Sequence, residues 1–382
     1  MTRFWVVLGV FLTITFSASA QDEAWPESVA PAYTAYETAM AARDFAAAYE
    51  AAGTAWRAGQ GTRLEPARRG VLAENFARLA LAFRQYDNAY EAWRDAAEMS
   101  DRARAPAPER AVRWYGASLA AYARGNLVEA RQCSQNASRV EARADAPLES
   151  QLSGDIHYMI AMSNSELGHV REAGTDARLA LAAFEASGRA FDQRYANAYY
   201  LSGLNSFLFG EKFDSALDFH YAQHIFSTLE GPDSQTAALR ARMWLRMAEG
   251  RLSDDQLEQV GERIAASALP EAETYPSIDR DGLRELEAEP INSPPLDYPD
   301  AAERQGIEGA VLLQYIVNEA GRVEDVEVIA SMPVGVFDAA CIESIEARIY
   351  EPLLEDGVPI RRWGETDVTF LMAPPGTRRP RE

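Results

Sequence analysis

Two histidines, His220 and His224, lie one helical turn apart in the segment "DFHYAQHIF". On a helix this spacing places two imidazoles on one face, which is the arrangement of paired histidine ligands at zinc sites. The glutamate that accompanies such histidines in metalloproteases is absent, and no third-ligand motif is found. We therefore expect structural histidines on a partly buried helix and no metal site.

The rest of the chain contains no recognisable catalytic motif. It lacks the G-x-S-x-G nucleophile turn, the P-loop, the C-x-x-C pair and the G-x-G-x-x-G dinucleotide turn. We predict no enzyme activity and no cofactor, because no nucleophile, acid–base pair or ligand set occurs at a known spacing. Two cysteines, Cys133 and Cys341, lie far apart in the sequence. We expect buried thiols in different domains, and a disulfide is the alternative in an oxidising compartment.

The chain is strongly acidic, with a formal net charge of -21 and a pI near 4.7. Its acidic residues are scattered rather than grouped in a tail. Such a surface repels nucleic acid and anionic lipid, so we predict neither as a partner. The apolar fraction of 47% is normal for globular protein, which predicts folded cores along the chain.

The N-terminus has the pattern of an export signal. Arg3 precedes an apolar run over 4–16, and Ala18 and Ala20 form an A-x-A arrangement before Gln21. An apolar run of this length spans roughly 20 Å, short of the ~30 Å hydrocarbon core of a membrane. We predict a signal peptide over 1–20 and a periplasmic protein. A single-pass inner-membrane anchor that faces the periplasm is the alternative.

Residues 31–267 repeat a helical pattern. The hinge glycines Gly125, Gly168 and Gly210 recur at intervals of 42 or 43 residues. A fixed period in this range predicts an α-solenoid of helical hairpins, here five hairpins with 238–267 capping the end. Each hinge is followed by an alanine that begins the second helix, and in this frame the alanines are Ala47, Ala89, Ala130, Ala173 and Ala216.

The repeat is similar to a known helical repeat. Its small hinge residue, aromatic positions such as Tyr86 and Phe213, and downstream alanine resemble the tetratricopeptide repeat. The resemblance implies a superhelical stack of helix-turn-helix units. The period is longer than the 34 residues usual for that repeat, which predicts longer helices or loops. A plain helical bundle is the alternative.

Residues 268–293 lose the repeat. They carry seven acidic residues against two arginines, with several prolines. Prolines break helices and like charges repel, so we expect an acidic, partly extended linker that lets the end domain move. A linker that lies along the last repeat is the alternative.

The C-terminal segment predicts a small α+β domain after the all-α solenoid. Pro299 and Gly306 suit the start and end of a short helix over 298–305. "GAVLLQYIV" and "VEDVEVIA" predict antiparallel strands, "FDAACIESIEAR" a helix and "ETDVTFLM" a last strand. The sheet is expected to have three antiparallel strands and to pack with two helices. In the last strand we expect Val368, Phe370 and Met372 to face inward and Asp367, Thr369 and Leu371 to face outward.

A set of short motifs accompanies these elements. They are Tyr298-Pro299, Gly306, Ile307-Glu308-Gly309, Gly321-Arg322-Val323, Phe337-Asp338, Tyr350-Glu351-Pro352 and Gly357-Val358-Pro359. In content and order they resemble the TonB C-terminal domain family. The resemblance covers roughly residues 294–372, and we predict a domain over 294–374 with 375–382 as a tail.

The resemblance implies a partner-binding domain. Domains of this family add an extended segment of an outer-membrane TonB-dependent transporter as a strand on the exposed edge of the sheet. We expect the backbone of the last strand to contribute more than any one side chain. The positions implied in binding are Asp297, Tyr298, Pro299, Asp367, Val368, Thr369, Phe370, Leu371 and Met372.

The segments before this domain differ from the membrane helix and extended span of the family. We therefore predict a periplasmic TonB-like adaptor that functions in TonB-dependent transport. Its terminal domain would hold a transporter or another envelope protein, and its repeats would hold a second, unidentified protein. The alternatives are a membrane-anchored energy transducer and a structural envelope scaffold, which includes a homodimer.

Overall fold

The computed structural model describes residues 24–210, 212–267, 269, 283–292 and 294–372. The predicted signal peptide, most of the predicted linker and the predicted tail lie outside the described residues. The chain divides into two compact units, Met1–Ala190 and Phe191–Glu382, called here the N-terminal and C-terminal units. Each unit has its own buried apolar residues.

The described part of the N-terminal unit consists of four helical pairs. Consecutive helices are joined by short turns, which makes them antiparallel neighbours. Over residues 29–160 their apolar sides meet in one continuous core, in which Trp93, Phe76 and Tyr115 are buried. The helices are α1 (Ala30–Ala41), α2 (Phe45–Gln60), α3 (Pro66–Ala82), α4 (Tyr86–Arg102), α5 (Ala107–Ala123), α6 (Leu127–Glu141), α7 (Ser150–Glu166) and α8 (Val170–Ala186).

A residue in the left-handed conformation makes the turn inside each pair. Gly125 and Gly168 have φ angles of 84° and 81°, as expected for hinge glycines. The equivalent residues of the first two pairs are Arg43 and Arg84, with φ angles of 57° and 58°. The hinge conformation therefore recurs in all four pairs, and only the residue type changes.

Replacing Gly168 with alanine is expected to lower the free energy of unfolding by about 1 kcal/mol, because a Cβ is disfavoured at positive φ. No heavy atom lies within 4 Å of the position that this Cβ would take, so backbone strain is the whole effect. Gly61→Ala is the matched control. Gly61 has a φ of -83° and an added Cβ would lie 3.7 Å from the nearest atom, so its unfolding midpoint in urea should not move. Equal losses in both variants would contradict this account of the hinge.

The described part of the C-terminal unit begins with four more helices. They are α9 (Gln193–Phe209), α10 (Lys212–Ser227), α11 (Pro232–Glu249) and α12 (Asp254–Ala265). Helix α10 packs against α9, α11 and α12. Gly210 makes the hinge between α9 and α10 with a φ of 104°. Helices α11 and α12 occupy the region predicted to cap the repeats, although α11 begins earlier, at Pro232.

The same unit ends in an α+β module. Its elements are β1 (Arg284–Glu285), α13 (Asp300–Gln305), β2 (Gly309–Val317), β3 (Val323–Met332), α14 (Asp338–Glu346), β4 (Leu353–Glu355), β5 (Val358–Ile360) and β6 (Arg362–Phe370). The fold class predicted from the sequence, helical pairs followed by a small α+β domain, is confirmed. The number of strands was wrong, because the main sheet has four in the order β1-β6-β2-β3.

The extra strand comes from the predicted linker. β1 pairs parallel to β6, with Arg284 opposite Arg362 and Glu285 opposite Trp363. Further along, the Asn292 amide donates to the Ala347 carbonyl at 2.8 Å. The described part of this segment, 283–292, therefore lies on the module, since its backbone and amide groups find partners there.

Helices cover both faces of the main sheet. On one face, Phe337, Cys341 and Ile345 from α14 and its N-cap are fully buried against β2 and β6. On the other face, Met243 and Met247 of α11 pack on β2 and β3. All nine residues of β2 are buried as a result.

Both cysteines are free and buried, which confirms the prediction of two thiols. Cys133 lies in α6 of the N-terminal unit and Cys341 in α14 of the C-terminal unit. Burial raises the pKa of each thiol to about 12. Both therefore stay protonated at neutral pH.

Candidate functional site

The last strand, β6, is paired unequally on its two sides. Its inner side pairs antiparallel with β2 along its whole length, from Arg362 opposite Val317 to Phe370 opposite Gly309. Its outer side, which faces away from β2, pairs with β1 only at Arg362 and Trp363. Among the described residues no strand covers the outer side beyond this point. The outer side of β6 from Gly364 to Phe370 is called the outer edge.

The hydrogen bonds of β6 identify the backbone groups that point to the outer edge. The Leu286 amide donates to the Trp363 carbonyl at 2.8 Å, so the backbone of Trp363 faces outward. Backbone direction alternates along a strand, and the pairing of β6 with β2 has no bulge. The N–H and C=O groups of Asp367 and Thr369 therefore point to the outer edge. Met372 is an odd number of positions from Thr369, so its amide turns to the β2 side, where it donates to Glu308 at 2.8 Å.

Two of the predicted site residues in β6 belong to the core. Val368 and Phe370 are buried as expected, and the Phe370 ring stacks on Phe337 at 4.2 Å between centroids. The expectation that Leu371 faces outward was wrong, because Leu371 packs with Met243 in the cluster under α11. Core packing explains why these positions need apolar residues whether or not a partner binds.

The three predicted residues before α13 have separate roles. The Tyr298 hydroxyl donates to the Ile307 carbonyl at 2.6 Å, and its ring meets Phe370 edge-on at 5.4 Å. Burial, followed by nearby glutamate charges, raises the pKa of Tyr298, so the hydroxyl stays a donor. Pro299 is the N-cap residue of α13, and Asp297 is exposed. The structure therefore brings Tyr298 to the C-terminal end of β6.

Asp367 forms a charged cluster that sequence reasoning missed. Its Oδ2 atom accepts hydrogen bonds from Arg242 Nη2 at 2.7 Å and Arg246 Nε at 2.8 Å, both on α11. Arg242 Nη2 also lies 2.7 Å from Glu365 Oε1, and Gln314 Nε2 donates to Glu365 Oε2 at 2.7 Å. The expectation that Asp367 faces solvent was therefore wrong, since α11 covers that face of the sheet.

The electrostatics of the cluster keep its arginines charged. Burial opposes the charge of Arg242 and Arg246, but the carboxylate of Asp367, followed by other neighbouring acids, raises the pKa of both guanidinium groups. The acids of β6 thereby have counter-charges within hydrogen-bond distance. The spacing of Arg242 and Arg246 places both on one helix face beside Met243 and Met247, but the same spacing is ordinary for surface residues of a helix and does not identify the cluster.

A family comparison matches the module. Residues 294–372 match the family model described as the Gram-negative bacterial TonB protein C-terminal. Residues 294–372 of the module are a TonB C-terminal domain. The matched range begins after β1 and α11, so both elements that contact β6 from outside lie beyond the TonB C-terminal domain itself.

Known proteins resemble parts of this chain. Protein TonB of Pseudomonas aeruginosa is 28% identical over 102 residues, which are 25% of this chain and 30% of that protein. The chain thus matches less than a third of that relative. The solution structure of the Pseudomonas aeruginosa TonB C-terminal domain is 26% identical and has a TM-score of 0.23, with 26% of this chain and 99% of that one covered. The crystal structure of BtubC from P. vanneervenii is 15% identical to this chain and has a TM-score of 0.38. The match covers 66% of this chain and 97% of that one.

The histidine pair lies outside the TonB C-terminal domain, on α10. The two rings are 6.1 Å apart, and burial, followed by His224 and Arg246, lowers the pKa of His220 to about 4. His220 is therefore neutral at pH 7. In the described part of the chain, no three histidine, cysteine or acidic side chains are grouped to hold a metal ion. No described helix has the length and apolar character needed to cross a membrane.

Proposed function

We propose that this protein is a periplasmic TonB-like adaptor that captures an extended segment of an outer-membrane TonB-dependent transporter, or of another envelope protein, on the outer edge of β6. The observation that carries the proposal is the backbone of Asp367 and Thr369, which points to an edge that no described strand covers. A TonB C-terminal domain at 294–372 gives this edge a transport-related context.

Capture takes place by strand addition. A partner segment lies about 4.8 Å from β6 and bonds with every second residue of the strand, beginning with Asp367 and Thr369. Its side chains then alternate between the face with Tyr298 and Phe370 and the face with α11. Backbone bonds supply the affinity, and the residues on these two faces select the sequence.

The helical pairs serve as the scaffold for a second protein. Stacked hairpins offer long surfaces, and each pair contacts only its neighbours. The described residues of the N-terminal unit contribute four such pairs. In this role the protein connects a transporter to another periplasmic component in TonB-dependent transport.

The test is titration of the full chain with a panel of synthetic peptides taken from the N-terminal segments of TonB-dependent transporters. At least one peptide should bind with a dissociation constant of roughly 1–10 μM. A scrambled peptide of the same composition is the control. If no peptide of the panel binds above its scrambled control, capture of transporter segments is wrong.

A membrane-anchored energy transducer is the second candidate, in which the apolar run over 4–16 is kept as the anchor. This run lies outside the described residues. Sequencing the N-terminus of the protein isolated from cells separates the candidates. A chain that begins at Gln21 supports the adaptor, and one that keeps the apolar run in the inner membrane supports the transducer.

A further inference from the structure

Helix α11 lies along the strand that carries the outer edge. Arg242 bonds with Glu365 and Asp367, and Arg246 bonds with Asp367. One turn further along α11, a Cβ added to Gly250 would lie 2.6 Å from Leu371. Successive turns of α11 therefore contact one face of β6, at Glu365 and Asp367, and then Leu371 just after the strand.

Asp367 is at the centre of this contact. Its Oδ2 atom accepts from Arg242 Nε at 3.2 Å as well as from Arg242 Nη2 and Arg246 Nε. The side chains of Arg242 and Asp367 are 13% and 11% exposed, so water screens the pair weakly. Three charge-assisted donors on one carboxylate oxygen fix the position of that carboxylate.

The same residue supplies backbone groups to the outer edge. The side chain of Asp367 is held from the α11 face, and its N–H and C=O point outward from the sheet. A constraint on the side chain thus also constrains the backbone groups that a partner strand must meet. An edge that is fixed before binding loses less conformational entropy on capture.

We propose that Arg242 and Arg246 are positioning residues for strand capture, which hold Asp367 so that the outer edge of β6 is ordered before a partner arrives. The proposal rests on the function proposed above and extends the capturing site to α11, outside the TonB C-terminal domain. Helix α11 is thereby part of the binding site.

The apolar contacts of α11 have a different role. Met243 and Met247 pack on the middle of the sheet, at Ala310 and Leu312 of β2, and hold the helix in place. The arginines contact the acids of β6. Without them, Glu365 and Asp367 would be two carboxylates on one face of one strand, where like charges repel.

The first test measures hydrogen exchange in the full chain without a partner. Val368 and Phe370 have inward-facing backbone groups by the alternation of β6, so their amides report the opening of β6 from β2. We expect Arg242→Met and Arg246→Met to exchange about tenfold faster at these two amides, with Arg242→Lys intermediate. Arg240→Met is the matched control, because Arg240 is on the same helix but lies near Tyr200 of α9, and the change should leave exchange at Val368 and Phe370 unaltered.

The second test measures affinity for a transporter peptide that binds the wild-type chain. Arg242→Met and Arg246→Met should each weaken binding about tenfold. Adding Asp367→Asn to the variant that carries both arginine changes should cause little further loss, because both arginines act through Asp367. Unchanged exchange at Val368 and Phe370, or unchanged peptide affinity, would overturn the positioning role. If no peptide binds the wild-type chain, the proposed function fails, and the exchange rates still decide whether the arginines order the edge.

Discussion

Thr369→Pro is expected to weaken the binding of a transporter peptide by about 100-fold, which corresponds to about 2.7 kcal/mol. Proline removes the outward-facing N–H of residue 369, and its ring occupies space beside the edge where a partner strand would lie. The hydrogen bonds between β6 and β2 remain, because they come from the alternate residues of β6, such as Val368 and Phe370. Proline is tolerated at edge positions whose N–H faces away from the sheet.

Thr369→Val is the control for this variant. Valine keeps the N–H and has a shape close to that of threonine, so peptide affinity should stay within about threefold, or about 0.65 kcal/mol. The amides of β2 should show wild-type hydrogen exchange in both variants, which verifies that the sheet is intact. Wild-type affinity in Thr369→Pro would mean that peptides bind elsewhere.

Gly321→Ala is expected to lower the free energy of unfolding of the C-terminal unit by about 4 kcal/mol, from overpacking and a strained backbone together. Gly321 has a φ of 77°, and an added Cβ would lie 2.0 Å from the Tyr350 carbonyl oxygen. The clash cannot relax easily, since the Tyr350 amide donates to the Gly321 carbonyl at 2.8 Å. Urea denaturation monitored by circular dichroism measures this loss of unfolding free energy.

Gly357→Ala separates the clash from the backbone strain. Gly357 has a similar φ of 82°, in the turn between β4 and β5, and has no heavy atom within 4 Å of an added Cβ. Its loss should be about 1 kcal/mol. Equal losses in the two variants would show that the contact of Gly321 with Tyr350 has no effect on stability.

The helical pairs were predictable because their hinge is encoded locally. A chain reversal with positive φ favours glycine, so Gly125, Gly168 and Gly210 indicated the period. Arg43 and Arg84 adopt the same conformation without glycine, and here the alanine frame indicated the pairs instead. The residue type at a hinge is thus a preference that tertiary packing can override.

The strands were only partly predictable. β2 follows from a run of strand-favouring residues, β3 and β6 follow from apolar alternation, and Gly321 marks the short turn between β2 and β3. β1 has two exposed residues, Arg284 and Glu285, and no alternation. Its pairing with β6 is a long-range contact, which a local pattern does not encode.

The sequence predicted the burial of one face of β6 correctly and that of the other face wrongly. Alternation placed Val368 and Phe370 in the core correctly, but it implied solvent on the other face. The segment "GAVLLQYIV" of β2 contained the missing information, because a strand with one wet face alternates and this one is apolar nearly throughout. The sequence did not indicate that α11 covers the second face, since Arg242 and Arg246 resemble ordinary surface residues of a helix.

The central claim is that the outer edge of β6 binds an extended strand, and residue-resolved hydrogen exchange of the full chain with and without a bound transporter peptide tests it most directly. The outward-facing amides of Asp367 and Thr369 should become at least tenfold more protected when the peptide binds, because each gains a backbone partner. Peptide binding that protects amides of the helical pairs and leaves Asp367 and Thr369 unchanged would contradict capture at this edge.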